Sequence, residues 1–485
     1  MRVALALFSS VAGLAQSDDL AGRSHEAREL MAAGRFADAI PIYEQLCRAL
    51  PTNPGLRLNL ALAYHMAGRH AESVPQFETV LRADPNNLPA LMSLGVALLE
   101  LNQPAKAVAP LRKAVELQPG EIEIRGMLAN ALLSLDRPRE AAPHFRKLTE
   151  AAPRDPKAWY GLGRSYESLA QQAFRELDKN AQGSAEWLAL IADSRMERRQ
   201  YRSAFYFYRE ALAKKSDLPG LHAALAEVYR RTEHPDWAAA EQRKQAAAPK
   251  PDCAREKAAC DFAAGRFLEA ASSPSPYWRA RAYNELALRA FSELGSTPES
   301  VELHALKADM LASHGEHLEA VAEWRAARNL APDDPRIARQ LATETYLARD
   351  YEKALAMIQP LSRAEPNAAD LHYFIGDSLL HLEKLDEAAP ELEKAVQLDP
   401  KLLPARASLG LTYARLGKAR EAIPQLQAAL SIDDDGSLHY QLARAYQGSG
   451  DAASAKDAMQ KYQEFQRKNE ENKQDLEQKA KITAP

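Results

Sequence analysis

The sequence predicts an all-α protein, a solenoid of about 12 helix-turn-helix units with an irregular middle. Prolines that end units recur at a period of 34 residues near both ends of the chain. Apolar residues within each period fall three and four apart, which is typical of a buried helix face. No segment sustains the alternation of a strand, so we expect no sheet. The periodic prolines are Pro51, Pro85, Pro119, Pro153, Pro332, Pro366 and Pro400.

Two further positions keep this period and predict how each unit packs. A small residue stands 24 positions before each proline and lets a neighbouring helix approach closely. A large apolar residue stands eight positions before the proline and fills the space between the helices. A glycine or polar residue in mid-unit, such as Gly34 or Gly315, turns the chain. The small residues include Gly95, Gly376 and Gly410, and the large ones include Leu111, Trp324 and Leu392.

These patterns resemble the tetratricopeptide repeat family. The stretch Trp159, Leu162, Gly163 and Tyr166 carries the spacing Trp-x2-Leu-Gly-x2-Tyr of its first helix. The resemblance implies a right-handed superhelix, and it covers about nine tenths of the chain. It specifies the fold and says little about the ligand. The regular units are 20–53, 54–87, 88–121, 122–155, 301–334, 335–368, 369–402, 403–435 and 436–469.

The domain organisation follows from where the period holds and where it slips. Residues 20–155 form four regular units, and 156–250 hold a compressed unit with a long first helix followed by two ordinary units. Residues 251–300 form an irregular helical joint. Further units fill 301–469, and 470–485 form a charged tail. A polar extension of the last helix, a frayed tail and a partner-binding tail are all compatible with this last segment.

Residues 1–15 read as a short secretory signal, with one basic residue, an apolar run and Gly13-x-Ala15 before cleavage. The alternative is an apolar first helix of the stack. Export implies a periplasmic or secreted protein, and the alternative implies a cytoplasmic one. No later apolar run is long enough for a transmembrane span.

Two of the three cysteines, Cys253 and Cys260, follow the Pro249–Pro251 break closely. If both lay on one helix, they would be about 10 Å apart and could not be bridged. If Cys253 lies in a loop before a helix that holds Cys260, a disulfide is feasible and would brace the irregular unit. The alternative is two small buried residues. We interpret Cys47 as a packed thiol of the first unit.

Three local motifs suggest chemistry that their spacing does not support. His314 and His317 are three apart around a turn glycine, whereas a zinc helix needs four. Asp433–Asp435 are consecutive, so we expect them to cap the following helix and not to bind calcium. Gly410 and Gly417 are too far apart for a phosphate loop. Histidines on first helices, among them His25, His222, His304, His372 and His439, have unrelated phases, and we expect no catalytic site, metal or cofactor.

The resemblance implies that repeat positions 2, 5, 9, 12 and 13 lie on the first helix of each unit and point into a concave surface. Positions are counted from the first residue of each unit. In early units these positions are apolar, as at Leu58, Leu62, Met66, Met92, Val96 and Leu99. From residue 156 onward they are charged and aromatic, and we predict that this set contacts a partner. The alternative is that these positions are covered by the curvature of the superhelix or by a second copy of the chain. The predicted partner-binding residues are Tyr160, Arg164, Glu167, Asp193, Glu227, Arg230, Asp309, Arg339, Tyr373, Asp377, Tyr440 and Arg444.

The chain carries 62 basic and 66 acidic residues, so its net charge of −4 gives no overall basic field to attract nucleic acid. We therefore expect a non-catalytic scaffold that binds a protein or peptide, in the cell envelope or in a secretion process. One alternative is a cytoplasmic adaptor or co-chaperone-like scaffold of the same fold. Another is an accessory protein of a polysaccharide or enzyme complex.

Overall fold

The computed structural model describes residues 19–485, and within this range the regular elements are all helical. The predicted all-α fold is thereby confirmed. The predicted signal segment, residues 1–15, lies outside the described residues. The helices are α1 (19–32), α2 (Phe36–Ala49), α3 (Pro54–Met66), α4 (His70–Ala83), α5 (Leu88–Glu100), α6 (Pro104–Leu117), α7 (Ile122–Ser134), α8 (Pro138–Ala151), α9 (Pro156–Ala181), α10 (Ala185–Glu197), α11 (Tyr201–Lys214), α12 (Leu221–Arg231), α13 (Pro235–Ala247), α14 (Lys257–Ala263), α15 (Phe267–Ala270), α16 (Pro276–Gly295), α17 (Val301–Ser313), α18 (His317–Leu330), α19 (Pro335–Leu347), α20 (Tyr351–Ala364), α21 (Ala369–His381), α22 (Leu385–Leu398), α23 (Leu403–Arg415), α24 (Ala419–Ala429), α25 (Ser437–Ser449) and α26 (Ala452–Lys479).

Most helices pair as hairpins, and the small and large positions meet as the repeat predicts. A Cβ built on Gly95 would lie 2.4 Å from Leu111 Cδ2, and one built on Gly376 would lie 2.5 Å from Leu392 Cγ. Real Cβ atoms do not come this close to a neighbour. Glycine at these positions therefore permits an approach of the two helices that alanine would block without a shift of the leucine.

The turn between the two helices of a unit has one backbone conformation throughout. Repeat position 15 has positive φ in each regular unit, for example 72° at Gly34, 61° at Arg349 and 59° at Glu383. Glycine adopts this left-handed conformation without steric cost, whereas other residues are strained there. The sequence signalled this turn only where glycine occupies it.

The described chain divides into two compact units. Unit 1 consists of 19–173 with Arg266–Pro274 and Arg279–Thr297, and unit 2 consists of Phe174–Gly265, Ser275–Trp278 and Pro298–Pro485. The segment predicted as an irregular joint thus contributes residues to both units.

Helix α9 is a single helix of 26 residues, and its residues 156–173 lie in unit 1. Its partner is α16, which follows more than 90 residues later. A Cβ built on Gly163 would lie 2.3 Å from Phe291 Cε1, and the rings of Tyr166 and Tyr283 stack 6.1 Å apart. Phe291 therefore occupies the place that the large residue of a second helix fills elsewhere.

In unit 2, the first helices α19, α21, α23 and α25 touch one another in succession and form a continuous row. The core beneath them is aliphatic and includes Leu371, Ile375 and Leu392. This row carries the late members of the predicted partner-binding set.

Candidate functional site

In unit 1, three of the predicted residues come together on α9. Arg164 Nη1 lies 2.8 Å from Glu167 Oε2, and the guanidinium carbon of Arg164 lies 6.0 Å from the ring centroid of Tyr160. All three side chains remain partly exposed. Together they form a polar patch on one helix, with both charges already paired.

The apolar inward positions of α3 and α5 lie in the same unit. Leu58, Leu62, Met92 and Leu99 are half-buried against the core, whereas Met66 is 53% exposed. Packing within unit 1 therefore accounts for most of this set.

On α10 and α12 of unit 2, the predicted residues are satisfied locally. Glu227 accepts hydrogen bonds from Nε of Arg230 and of Arg231, each at 2.8 Å. The Tyr208 hydroxyl donates to Asp193 Oδ1 at 2.6 Å. The second contact joins the two helices of one hairpin and gives Asp193 a structural role.

Arg339 on α19 bridges two elements by ion pairs. Its Nη1 lies 2.7 Å from Glu365 Oε2, and its Nη2 donates to Asp370 on α21. One nitrogen thus holds the end of α20 and the other holds the next first helix, which fixes the spacing of the row.

The most organised group in unit 2 is a set of five side chains that we name the tyrosine–aspartate cluster: Tyr346, Tyr351, Tyr373, Asp377 and Ser408. The Tyr346 hydroxyl donates to Asp377 Oδ2 at 2.8 Å, and the Ser408 hydroxyl donates to Asp377 Oδ1 at 2.5 Å. The hydroxyls of Tyr346 and Tyr373 are 3.2 Å apart. The cluster therefore links α19, α21 and α23 through one carboxylate.

Aromatic contacts widen this cluster. The Tyr351 ring stacks on His381 with centroids 4.5 Å apart, and Phe374 lies 4.8 Å from Tyr346. Burial, and then the Asp377 charge, raises the pKa of Tyr346, and the same two causes raise the pKa of Tyr373. Both hydroxyls consequently stay protonated near neutral pH and act as donors.

Asp377 has a different role from the one the repeat position predicted. It is only 6% exposed, and both of its carboxylate oxygens accept hydrogen bonds from within the cluster. It therefore positions the tyrosines and contributes little surface of its own. Sequence reasoning missed Tyr346, although this residue stands at repeat position 12, one of the inward positions.

The remaining members lie on α25, the last helix of this row, and on α17. Tyr440 is 38% exposed, and its ring centroid lies 5.3 Å from that of Tyr462 on α26. Arg444 is exposed on the same helix, and Asp309 is half-buried on α17. The structure thus places the twelve predicted residues in several local groups, and only those of α19–α25 share one row.

The expectation that the first-helix histidines have unrelated phases is wrong for four of them. His222, His304 and His372 all stand at repeat position 4, and Nδ1 of each lies 2.6 Å from a glutamate 19 residues later on the second helix. His439 has the same position and contacts Asp433 at 2.5 Å instead. The first three histidines join the two helices of a hairpin, and His439 joins α25 to the loop before it, which explains all four without catalysis.

The three local motifs have structural explanations, and for the third, Gly410 packs on Leu426 while Gly417 is a turn residue with a φ of 74°. Gly315 is the turn between α17 and α18, and His317 pairs with Glu344 at 2.6 Å. The expected capping by the aspartate run is confirmed, because Asp433 accepts from the amides of Leu438 and His439 at the start of α25. Among residues 19–485, no group of three or more His, Cys, Asp or Glu side chains is arranged to hold a metal ion.

Cys253 and Cys260 are joined by a disulfide, with Cα atoms 5.6 Å apart. Cys253 precedes α14 and Cys260 lies on it, which is the arrangement that makes the bridge feasible. Cys47 is free and buried. None of the helices in the described part of the chain combines the length and apolar character needed to cross a membrane.

Three family models described as Tetratricopeptide repeat match the chain, each in two places. The matches are 25–87 and 340–402, 65–131 and 98–166, and 403–435 and 436–469. Together they cover more than half of the 485 residues.

Among curated proteins, similar sequences occur in receptors, of which the match covers a small part. The Peroxisomal targeting signal receptor of Saccharomyces cerevisiae is 29% identical over 108 residues, which are 22% of this chain and 18% of the receptor. The receptor of the same name from Eremothecium gossypii is 27% identical over 110 residues, 23% of this chain and 19% of the receptor. The chain therefore spans less than a fifth of the length of these relatives.

Solved structures with a similar fold include a mutant of MamA, which is 24% identical in sequence. The match covers 32% of this chain and 91% of the MamA chain, with a TM-score of 0.30. Yeast Tom70 is 16% identical, and the match covers 96% of this chain and 95% of the Tom70 chain, with a TM-score of 0.31. Likeness at this level of identity concerns the fold alone.

Proposed function

The chain belongs to the tetratricopeptide repeat family, and we propose that it is a non-catalytic scaffold. It binds an extended segment of a partner protein on the first helices α19, α21, α23 and α25. The observation that carries the proposal is the tyrosine–aspartate cluster. It places the rings and protonated hydroxyls of Tyr346 and Tyr373 at neighbouring inward positions, and the buried Asp377 carboxylate holds Tyr346.

Such a surface suits a peptide because tyrosine offers a large apolar ring and a polar tip with few rotatable bonds. The hydrogen bonds to Asp377 hold Tyr346 in place before a ligand arrives. A prearranged side chain loses less conformational entropy on binding, which favours affinity.

The neighbouring groups give this surface its polarity. Tyr440 and Arg444 on α25 are exposed, and the guanidinium can pair with a carboxylate of the ligand. At the other end, Arg339 is held by Glu365 and Asp370. We therefore expect a ligand that combines apolar or aromatic side chains with an acidic group toward α25. The name of the similar receptors describes recognition of a targeting signal, which supports a peptide as the ligand class.

The test is a peptide-library selection against the full chain, followed by affinity measurements on variants. Tyr346→Phe removes the hydrogen bond to Asp377, and Tyr373→Ala removes an aromatic surface. We expect each to weaken the selected peptides, by about fivefold for the hydroxyl and tenfold or more for the ring.

Tyr413→Phe is the matched control, since the Tyr413 hydroxyl bonds Glu393 at 2.6 Å but stands at repeat position 11, which is not inward. It should bind like the wild type. If all three variants bind equally, the ligand uses another surface and the proposal fails.

We also propose that the protein works in an oxidising compartment, as an exported protein of the cell envelope or of a secretion process. The Cys253–Cys260 disulfide supports this, because such bonds persist outside the cytoplasm. The signal-like features of residues 1–15 support it independently. Mass spectrometry of the protein from its host should find Gln16 at the N-terminus, and an intact Met1 would contradict export.

A further inference from the structure

Tyrosines at repeat position 11 lock consecutive units together by one recurring contact. Their hydroxyls bond the side chain at position 25 of the preceding unit. The pairs are Tyr166 with Arg146 at 3.3 Å, Tyr413 with Glu393 at 2.6 Å, Tyr446 with Gln427 at 2.7 Å, and Tyr64 with Glu44.

The step from α11 to α12 departs from this pattern. Arg209 and Tyr229 hold these two repeat positions, but both bind Thr483, more than 250 residues later. The Tyr229 hydroxyl donates to the carbonyl oxygen of Thr483 at 2.7 Å, and Arg209 Nη1 donates to Thr483 Oγ1 at 3.1 Å. The last residues of the sequence thus stand where the two side chains would otherwise meet.

Segment 480–485 leaves α26 and has no regular secondary structure after Ala480, which is itself only 6% exposed. The residues that follow are mostly exposed. Ile482 is half-buried, and the two hydrogen bonds of Thr483 link the segment to α11 and α12. Displacement of the segment breaks these two hydrogen bonds.

The receiving surface is built from packed aromatic rings. Tyr229 is buried, with its ring centroid 5.7 Å from Phe205 and 5.7 Å from Trp237, while His234 stacks on Trp237 at 4.2 Å. The guanidinium carbon of Arg209 lies 5.7 Å from the Phe205 ring centroid. Burial raises the pKa of Tyr229 to about 12, so the hydroxyl remains a donor near neutral pH.

These two donors define the chemistry of a ligand. A tyrosine that donates to a backbone carbonyl recognises an extended chain of any sequence. A guanidinium forms a weaker hydrogen bond with a neutral hydroxyl than with a carboxylate or a phosphate. Arg209 could therefore bind an acidic group more strongly than it binds Thr483. We propose that α11 and α12 form a peptide site that segment 480–485 occupies as an internal ligand, and that a segment of a partner protein with a hydroxyl or acidic side chain binds there when segment 480–485 is displaced.

This site shares no residue with the tyrosine–aspartate cluster, so an experiment can refute one proposal and leave the other standing. The probe is a fluorescent peptide with the sequence of residues 478–485, and the variant is the full chain with Ala480→Arg, which expels the segment from its buried contact. Ala484→Arg adds the same side chain at an exposed position and is the matched control.

We expect the probe to bind Ala480→Arg at least tenfold more tightly than it binds the wild type or Ala484→Arg, because the internal segment no longer competes. Adding Tyr229→Phe should weaken this binding about fivefold, through loss of one hydrogen bond. A probe with glutamate in place of the threonine should bind several-fold more tightly. Equal binding to all proteins, or none to Ala480→Arg, would overturn the proposal.

A second measurement keeps the proposal testable if Ala480→Arg does not fold. Trypsin cleavage between Lys481 and Ile482, followed by intact mass, should be several-fold faster in Tyr229→Phe than in the wild type. Tyr413→Phe, which alters the same kind of contact elsewhere, should leave the rate unchanged. A rate unaffected by Tyr229→Phe would show that Tyr229 does not hold the segment.

Discussion

Replacing Gly163 by alanine tests whether α16 serves as the second helix of α9. The added Cβ would lie 2.3, 2.6 and 2.8 Å from three ring atoms of Phe291. A rigid ring cannot yield as the end of a flexible side chain can. Overpacking of this kind costs about 1–3 kcal/mol, against which the better helix propensity of alanine returns about 0.5–1 kcal/mol. We expect a net loss of about 1–2 kcal/mol.

Gly126→Ala on α7 is the matched control. Its Cβ would meet only Leu148 Cδ1 at 4.0 Å, an ordinary contact, so we expect a gain of about 0.5–1 kcal/mol. Urea unfolding gives both stabilities, and hydrogen exchange shows whether the change falls on α9 and α16.

Phe291→Leu should partly rescue Gly163→Ala, because a smaller and more flexible side chain can move away from the new methyl group. If Gly163→Ala is as stable as Gly126→Ala, then Phe291 does not pack on α9 as described and the assignment of α16 is wrong.

Three further predictions concern the turns, a cap and the disulfide. Arg349→Gly should stabilise the protein by about 0.5–1 kcal/mol in urea unfolding, because position 349 has a φ of 61°; a loss would show that the turn is not strained. Hydrogen bonds from Ser437 lower the pKa of Asp435, so its contribution is present above the unfolded pKa near 3.8 and is lost as the pH falls further. Asp435→Asn should therefore cost a few tenths of a kcal/mol near pH 7, after screening at this exposed site, and this cost should disappear as the pH falls through the lowered pKa of Asp435; a pH-independent difference would contradict this. Reduction of Cys253–Cys260 should cost about 2 kcal/mol and speed hydrogen exchange in residues 251–265, since it opens a short loop; unchanged exchange would show that the bond does not brace this region.

The hairpin packing could be predicted because it depends on residues close in sequence. Gly95 and Leu111 lie 16 residues apart, as do Gly376 and Leu392, and the structure joins each pair. The pairing of α9 with α16 could not be predicted by this rule. The residue 16 after Gly163 is Lys179, which cannot fill the space, and nothing local shows that Phe291 does so. The missing large residue was the one available signal.

The sequence predicted which positions form the candidate site, but not how their side chains are buried and hydrogen-bonded. Repeat positions identified Tyr373 and Asp377, but they do not show that Asp377 is buried and bonded to Tyr346 and Ser408. The contacts of Thr483 with Arg209 and Tyr229 join residues far apart in sequence, and no periodic pattern records such a contact.

Site-specific photo-crosslinking in the host tests whether a partner lies on the row of first helices α19, α21, α23 and α25. A benzophenone side chain replaces Tyr440, which is inward and 38% exposed, or Leu318 on second helix α18, which is 68% exposed. We expect a protein adduct from position 440 that a library-selected peptide suppresses, and no adduct from position 318. Adducts from 318 alone, or an adduct from 440 that the peptide leaves unchanged, would contradict it.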